Sequence, residues 1–329
     1  MNLLPSPEQL EAVHAVSDFL AGTLPVTRYH SFPFTQLDTP GAVLADVAEF
    51  GLFGYGLEEE KGGSGGTLMD EMLMFREVGR VVGPLWILGG TIGARIAALA
   101  GETSVLADIL GGRAAVCLAS REGAESLQLF GVSGTRYVAA ADEQGAFLLD
   151  CQKLSLHSVP CVERQLALAE AALNPSAVVA SVLGPDLAQR TTVLLGAMQV
   201  GGAEATRDMA VAYAKLREQF GRPIGSFQAI SHMCADMAVR CEEAGAQIAY
   251  ASLCVNDGLP QAHFELHAAA ALSIRAAIEN ARANIQVHGA IALTEAHEAH
   301  YYVKRGHVLE TLMGGSTHHL EALIGPERR

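Results

Sequence analysis

The strongest constraint on the fold is the spacing of apolar residues in the second half of the chain. In one long segment they recur at three- and four-residue steps, on Phe227, Ile230, Cys234, Met237, Cys241, Ala244 and Ile248. This spacing places them on one face of an α-helix. Four helical segments follow one another, at about 186–216, 226–256, 261–287 and 295–322. The breaks between them are short, so neighbouring helices should pack antiparallel in a four-helix bundle.

The first half of the chain contains two different sequence patterns. From Ser6 to about Leu110 the pattern is helical, with a glycine-rich turn, "GYGLEEEKGGSGG", between two helices. From Arg113 to about Val182 short apolar runs alternate with turn residues, which is typical of strands. We therefore predict a mainly α protein with a small β domain. The predicted domains are N-terminal helices (1–112), a shortened β domain (113–183) and the C-terminal four-helix bundle (184–329), with Ser226 capping the second bundle helix.

Charge and composition exclude several classes of protein. The net charge is −14 and no basic run occurs, so a nucleic-acid-binding surface is not expected. The longest apolar stretches are interrupted by glycine and Arg95, so no membrane span is predicted. The first residues lack the features of a signal peptide, and the six cysteines contain no CxxC pair. We expect small cysteine side chains in the core of a cytoplasmic protein.

The joint between the first two bundle helices carries an unusual polar motif, "REQFGRPIGSFQ" (217–228). The joint after the third bundle helix, called the second joint below, reads "IQVHGAIALTEAHEAHYYVKRG" (285–306). A third segment, "FGLFGYGLEEEKGGSGGTLMDEMLMFREVGRVVGP" (50–84), lies in the N-terminal part. The order of helices, a small β region and a four-helix bundle, with these three segments in it, resembles the acyl-CoA dehydrogenase family. The resemblance covers most of the chain. It implies the N-terminal helical domain, short β domain and C-terminal bundle of that fold.

The resemblance also implies a cofactor, FAD, shared across a subunit interface. In that family the two bundle joints of one subunit hold the ADP half of an FAD bound mainly by a neighbour. Arg217 would pair with the pyrophosphate, and Phe220 and Gln228 would line the adenosine side. A fixed guanidinium and free backbone N–H groups suit a diphosphate. The full set of cofactor-binding residues predicted in this way is Arg217, Phe220, Phe227, Gln228, Gln286, His288, Gly289 and Ala290.

The same resemblance shows no catalytic base. Family members remove an α-proton from an acyl-CoA with a glutamate while a hydride moves to the flavin. Gly314 and Thr191 stand at the two positions where that glutamate is found, and neither side chain can accept the proton. The flavin-contacting loop of active relatives corresponds to "SREGAESL" (120–127), which lacks the usual proline and aspartate. We predict no catalytic residue in this chain.

Other proton carriers have simpler interpretations. Glu204 and Glu310 could act as displaced bases, but each is interpreted as an ordinary helix-surface carboxylate. The histidines near the C-terminus have no metal-binding spacing, so we expect solvated side chains and no metal site. These histidines are His297, His300, His307, His318 and His319.

Three functional interpretations remain open. The favoured one is a base-lacking subunit of a heteromeric (α2β2) acyl-CoA dehydrogenase, similar to those of bacterial sterol side-chain degradation. Its partner would be a homologous catalytic subunit that binds most of the acyl-CoA. The alternatives are a self-sufficient homotetrameric dehydrogenase with a displaced base and a flavin-free structural subunit.

Overall fold

The computed structural model describes residues 3–30, 38–123 and 125–325. Helices dominate both ends of the described chain, and strands occupy its middle, as the sequence predicts. The helices are α1 (Pro7–Thr23), α2 (Val43–Glu49), α3 (Leu68–Arg80), α4 (Leu85–Ala100), α5 (Thr103–Leu110), α6 (Asp186–Leu216), α7 (Gln228–Asn256), α8 (Ala262–His288), α9 (Ala299–Leu312) and α10 (Ser316–Ile324). The strands are β1 (Val116–Glu122), β2 (Ser126–Phe130), β3 (Tyr137–Ala141), β4 (Gly145–Asp150), β5 (His157–Val159), β6 (Leu168–Ala172), β7 (Val178–Leu183), β8 (Glu218–Gln219) and β9 (Arg222–Pro223).

The chain divides into two compact units. One comprises Met1–His30, Met72–Val82 and Thr192–Arg329, and the other comprises Ser31–Glu71 and Gly83–Thr191. The boundaries proposed from the sequence, at 112/113 and 183/184, follow changes of secondary structure and remain a prediction as domain limits.

The unit that contains β1 to β7 is built on one seven-stranded sheet. Its order is β5-β6-β2-β1-β3-β4-β7, and the neighbours are antiparallel except for β1 and β3, which are parallel. Alternate residues such as Cys117, Leu127 and Val138 share one buried cluster, as expected for strands of period two. On the other face α4 packs against the sheet, where Gly93 lies against Val116 and Leu148.

In the other unit, several bundle helices pack against α8. Helix α8 contacts α7, α9 and α10. The buried side chain of Asn280 on α8 ties three helices together: its amide donates to the carbonyl oxygens of Ala203 (3.2 Å) and Met237 (3.0 Å), and its oxygen accepts from Arg240 (2.7 Å). A buried amide that is satisfied in this way favours one arrangement of the helices.

The close contact between α3 and α6 explains why two positions in these helices are glycine. A Cβ atom on Gly79 of α3 would overlap the carbonyl of Met198 on α6, and one on Gly201 of α6 would overlap the carbonyl of Arg76. The backbones of α3 and α6 therefore approach at a distance that only glycine permits. Helix α1, in the same unit, begins at a capping box, because Gln9 N–H donates to the hydroxyl of Ser6 and the Ser6 N–H donates to the Gln9 side chain.

Two local predictions are wrong. The segment 295–322 is not one helix: it breaks between α9 and α10 at Gly314 and Gly315, whose φ angles are +88° and +85°. Ser226 does not cap α7, because its hydroxyl donates to the carbonyl of Pro223 and Phe227 occupies the cap position without a side-chain hydrogen bond.

The cysteines are free thiols. Cys117, Cys151, Cys241 and Cys254 are buried, as predicted for small core residues, while Cys161 and Cys234 are half-buried. Among the described residues, no helix is both long enough and apolar enough to cross a lipid bilayer.

Candidate functional site

The first bundle joint is a tight β-hairpin. Strands β8 and β9 pair Gln219 with Arg222, so Phe220 and Gly221 form the two-residue tip. Both tip residues have positive φ, +55° for Phe220 and +79° for Gly221, as a type I′ turn requires. Phenylalanine is an unusual residue at such a position, and the strain is of the order of 1–3 kcal/mol. Its side chain is nonetheless 93% exposed.

Arg217 is fixed by its backbone and free at its side chain. Its N–H donates to the carbonyl of Tyr213 (2.8 Å), and its carbonyl accepts from the N–H of Ile224 (2.8 Å). The guanidinium is exposed and makes no hydrogen bond or ion pair with any residue that the structure describes. A positioned cation without an internal partner is suited to an external anion.

Two further side chains extend the tip into an aromatic and cationic cluster. The guanidinium of Arg222 lies 4.1 Å from the centre of the Phe227 ring, and Phe220 meets the same ring edge-on at 6.1 Å. Gln228 begins α7 and is exposed. Its amide has no hydrogen-bond partner among the described residues. The hairpin thus presents a cation, a ring and an amide to its surroundings.

The second joint lies at the end of α8. His288 donates through Nδ1 to the carbonyl of Asn284 (2.9 Å), which fixes its ring. Gly289 ends the helix with a φ of +72°, and the space where a Cβ atom would lie is open. Gln286, Gly289 and Ala290 are exposed. A backbone approachable at Gly289 can come close to a phosphate group.

The structure brings these two joints together at one end of the bundle. The rings of Tyr213 and His288 stack with their centres 4.2 Å apart and an angle of 24° between their planes. Beneath them, Ile224 and Ile230 of the first joint share an apolar cluster with Val287 of the second. All eight residues predicted for the cofactor therefore belong to one pair of adjoining joints.

Sequence reasoning missed three residues of this surface. Tyr213 lies one helical turn before Arg217, and Arg222 lies inside the quoted motif, so proximity in sequence could have identified both. His297 has its ring centre 4.5 Å from that of His288. Burial and the neighbouring His288 lower the pKa of His297, so its ring stays neutral near pH 7.

The two positions that correspond by resemblance to the catalytic glutamate of the family carry no titratable side chain. Gly314 has no side chain and lies in the left-handed region, at φ +88°. The hydroxyl of Thr191 donates to the carbonyl of Leu187 (2.7 Å), a contact within its own helix. The segment 120–127 extends from the end of β1 to the start of β2, and Arg121 in β1 pairs with Asp142 at 2.6 Å. Ala124 of this segment lies outside the described residues, as does the side chain of Glu122.

The alternative carboxylates are engaged elsewhere. Glu204 is buried, and it forms ion pairs with Arg76 and with Arg80 (3.4 Å), so its interpretation as a surface carboxylate is wrong. Glu310 pairs with His307 at 3.2 Å. The histidines were also misjudged in part: His300 and His319 are buried instead of solvated. Burial lowers the pKa of each of these two rings to about 4.

Comparison with known proteins agrees with this fold. The family description "Acyl-CoA dehydrogenase, C-terminal domain" matches residues 188–325, and "Acyl-CoA dehydrogenase, N-terminal domain" matches residues 6–110. The acyl-CoA dehydrogenase IpdE2 of Mycobacterium tuberculosis is 34% identical, over 76% of this chain and 75% of the relative. The chain belongs to the acyl-CoA dehydrogenase family.

Two further proteins extend the comparison. The acyl-CoA dehydrogenase FadE34 of Mycobacterium tuberculosis is 35% identical over 87% of this chain, which spans only 42% of the length of FadE34. Among solved structures, the ChsE4-ChsE5 complex of the same organism has the same fold, with a TM-score of 0.82, 19% identity and 97% of both chains covered.

Proposed function

We propose that this chain is a subunit of a flavin-dependent acyl-CoA dehydrogenase that acts as a complex. In this proposal its two bundle joints hold the ADP half of an FAD at a subunit interface. A homologous partner subunit supplies the catalytic base and the site for the flavin ring. The complex would introduce an α,β double bond into a CoA thioester.

The observation that carries the proposal is the pairing of exposed, unpartnered polar groups with a strained aromatic tip. The guanidinium of Arg217 and the amide of Gln228 have no partner among the described residues, and Phe220 is held at φ +55° with 93% of its surface exposed. Strain of this kind persists where the surroundings require it, commonly at binding sites. A large exposed aromatic side chain is also typical of an interface.

The residues present suit the ADP half of FAD. Arg217 supplies a charge for the pyrophosphate, and the open backbone at Gly289 permits close approach of an anion. Phe220 lies beside the Phe227 ring, over which the Arg222 guanidinium is placed, and it offers an aromatic face to the adenine base of FAD. FAD, when bound, supplies the hydride-accepting chemistry of the family. This chain would bind and orient the cofactor.

The residues present do not suit the proton transfer. Deprotonation at the α-carbon needs a base within hydrogen-bond reach of that carbon. Gly314 cannot provide one, the Thr191 hydroxyl donates to the carbonyl of Leu187, and Glu204 forms ion pairs with two arginines. This contrast supports a division of labour between two subunits. The comparison with the ChsE4-ChsE5 complex supports it, because that protein of the same fold is a complex of two different chains.

The substrate we propose is a sterol-derived acyl-CoA. This choice rests on the resemblance to the heteromeric enzymes of sterol side-chain degradation. It is tested by offering the reconstituted complex sterol-derived and straight-chain acyl-CoA thioesters of matched concentration.

The test of the cofactor role is flavin content after expression of the chain alone and with a homologous partner. We expect a colourless single chain and a yellow complex, with acyl-CoA oxidation only in the complex. A yellow, active single chain would favour the homotetrameric alternative. A complex whose flavin content is unchanged when this chain's Arg217 is replaced would favour a structural subunit.

A further inference from the structure

Four histidines gather where α8 meets α10, in a place to which neither the sequence nor the proposed function assigns a role. His263 and His267 are one helical turn apart on α8, and His318 and His319 are consecutive on α10. Nitrogen atoms of His267, His318 and His319 all lie within 4.8 Å of one another. His267 and His319 are buried, at 7% and 3% exposure, whereas His318 is exposed to solvent.

The contacts within this histidine cluster link nitrogen to nitrogen. His267 Nδ1 lies 2.9 Å from His319 Nδ1, and His267 Nε2 lies 3.2 Å from His263 Nε2. The Nε2 atom of His319 is buried and has no hydrogen-bond partner among the described residues. A buried polar atom without a partner is costly and commonly marks a functional site. Here the atom belongs to a ring whose other nitrogen, Nδ1, faces His267.

We propose that His267, His318 and His319 form a binding site for one divalent transition-metal ion of the zinc class. Neutral imidazole is the preferred ligand of Zn²⁺, Ni²⁺ and Cu²⁺, while Mg²⁺ and Ca²⁺ require oxygen ligands. Three imidazoles and one solvent molecule complete a tetrahedral zinc sphere. The exposed side of His318 leaves room for that solvent molecule.

The spacing of the two buried nitrogens is close to what such an ion requires, and a nitrogen of the exposed His318 ring lies within 4.8 Å of both. With Zn–N bonds of about 2.0–2.1 Å, two tetrahedral ligands stand roughly 3.3 Å apart. The 2.9 Å separation of the facing Nδ1 atoms must widen by only a few tenths of an ångström. A metal ion would then replace the proton that one of these rings now donates to the other.

His263 has a supporting part in this proposal. A ring that binds a metal through one nitrogen usually donates its other N–H to a neighbour, which fixes the tautomer and the orientation. His263 Nε2 is placed to accept from His267 Nε2. His263 is therefore a positioning residue, and the ion itself would tie the short α10 to the long α8.

The proposal is tested by titrating the metal-free, tag-free full chain with ZnCl2 in a calorimeter, and with CoCl2 while following visible absorption. We expect one ion per chain, a tetrahedral Co²⁺ spectrum and a zinc-dependent rise in Tm. His318→Asn changes an exposed residue and should weaken zinc binding at least tenfold. His263→Asn should weaken binding by about 10- to 100-fold, the usual effect of losing an outer hydrogen bond to a ligand.

His157→Asn is the matched control, because His157 is an exposed histidine on β5 and should not matter. Circular dichroism of each variant verifies that the fold is intact. Zinc binding that is absent from the wild type, or that is equal in the His157, His263 and His318 variants, would overturn the proposal. The measurement needs no flavin and no partner, so its outcome is independent of the proposed dehydrogenase function.

Discussion

Tyr213 and His288 stack ring against ring, with their centres 4.2 Å apart, although 75 positions separate them in the chain (288 minus 213). Tyr213 lies in the last turn of α6 and leads into the first joint, and His288 is the last residue of α8 and leads into the second. The contact thereby holds the two joints next to each other at one end of the bundle. This contact allows two separate motifs to form one surface.

Replacement of Tyr213 tests that coupling. Tyr213→Ala removes a stacked pair worth about 0.5–1.5 kcal/mol beyond the area buried, so the chain should unfold at lower urea concentration. We also expect weaker flavin binding in the complex, since the joints lose their mutual support. Tyr213→Phe keeps the ring and should behave like the wild type in urea titration and flavin release. Equal loss in both variants would show that the hydroxyl, not the stacking, matters.

Replacement of Arg217 tests the proposed contact with the pyrophosphate. A charge-assisted hydrogen bond typically contributes about 1.5–3 kcal/mol, so Arg217→Ala should weaken flavin binding in the complex by roughly ten- to a hundred-fold. The urea midpoint should hardly change, because the side chain has no partner among the residues that the structure describes. Glu218→Ala, an exposed neighbour in the hairpin, is the control and should bind flavin normally.

Gln228→Ala extends the same series. A neutral hydrogen bond contributes about 1 kcal/mol, so the dissociation constant should rise by only about fivefold. Flavin affinity that is unchanged in the Arg217 variant would remove the ground for the ADP site at these joints.

Gly314→Glu should not create an active single chain. The position has a φ of +88°, so a side chain there costs about 1–3 kcal/mol of backbone strain. The end of β1 also retains its Arg121–Asp142 pair, within the segment 120–127 that corresponds by resemblance to the flavin-contacting loop. We expect a lower Tm and no acyl-CoA oxidation by the chain alone. Turnover after this one change would mean that the β region can seat a flavin ring.

A matched glycine pair tests the contact between α3 and α6. In Gly201→Ala the new Cβ atom overlaps the carbonyl of Arg76, so the helices must move apart, at a cost of about 1–3 kcal/mol or more. In Gly202→Ala the nearest atom is a ring carbon of Tyr302 at 3.7 Å, an ordinary contact. The second variant should therefore be as stable as the wild type in urea titration. Similar midpoints for both variants would contradict the close approach.

Stability should depend on pH through His300. Burial and the charge of Lys304, with smaller effects from His30 and His297, lower its pKa from 6.5 to about 4. The unfolded chain then binds a proton that the folded chain refuses, so stability is full above about pH 6.5 and declines as the pH falls towards 4. The loss is at most about 3 kcal/mol.

The measurement for His300 is the difference in unfolding free energy between pH 7 and pH 4.5. His300→Gln should show a smaller difference than the wild type, while His157→Gln, at an exposed site, should match the wild type. Because carboxylates also titrate in this range, only the comparison between variants is informative. An identical pH dependence in all three proteins would mean that His300 is protonated in the folded state.

Within the candidate site, the sequence located both joints but not their contact. "REQFGRPIGSFQ" and the segment after Ile285 were recognised as motifs, since their residues are neighbours in the chain. Tyr213 is close to Arg217 in the chain, but its contact with His288 depends on a helix 75 positions away, and no local pattern reports such a pairing. The burial of His300 and His319, the ion pairs of Glu204 and the histidine cluster of α8 and α10 were missed for the same reason.

The sequence by itself determined the order of helices and strands and the apolar stripe on one face of each bundle helix. It also determined that Gly314 and Thr191, which cannot act as a base, occupy the two positions discussed above. These properties follow from residue identity and short-range periodicity, which act within a few positions of the chain. The tertiary structure alone decided the strained tip at Phe220 and the meeting of Tyr213 with His288. Each of these depends on how elements pack, because packing selects backbone angles and pairs side chains that local interactions leave undetermined.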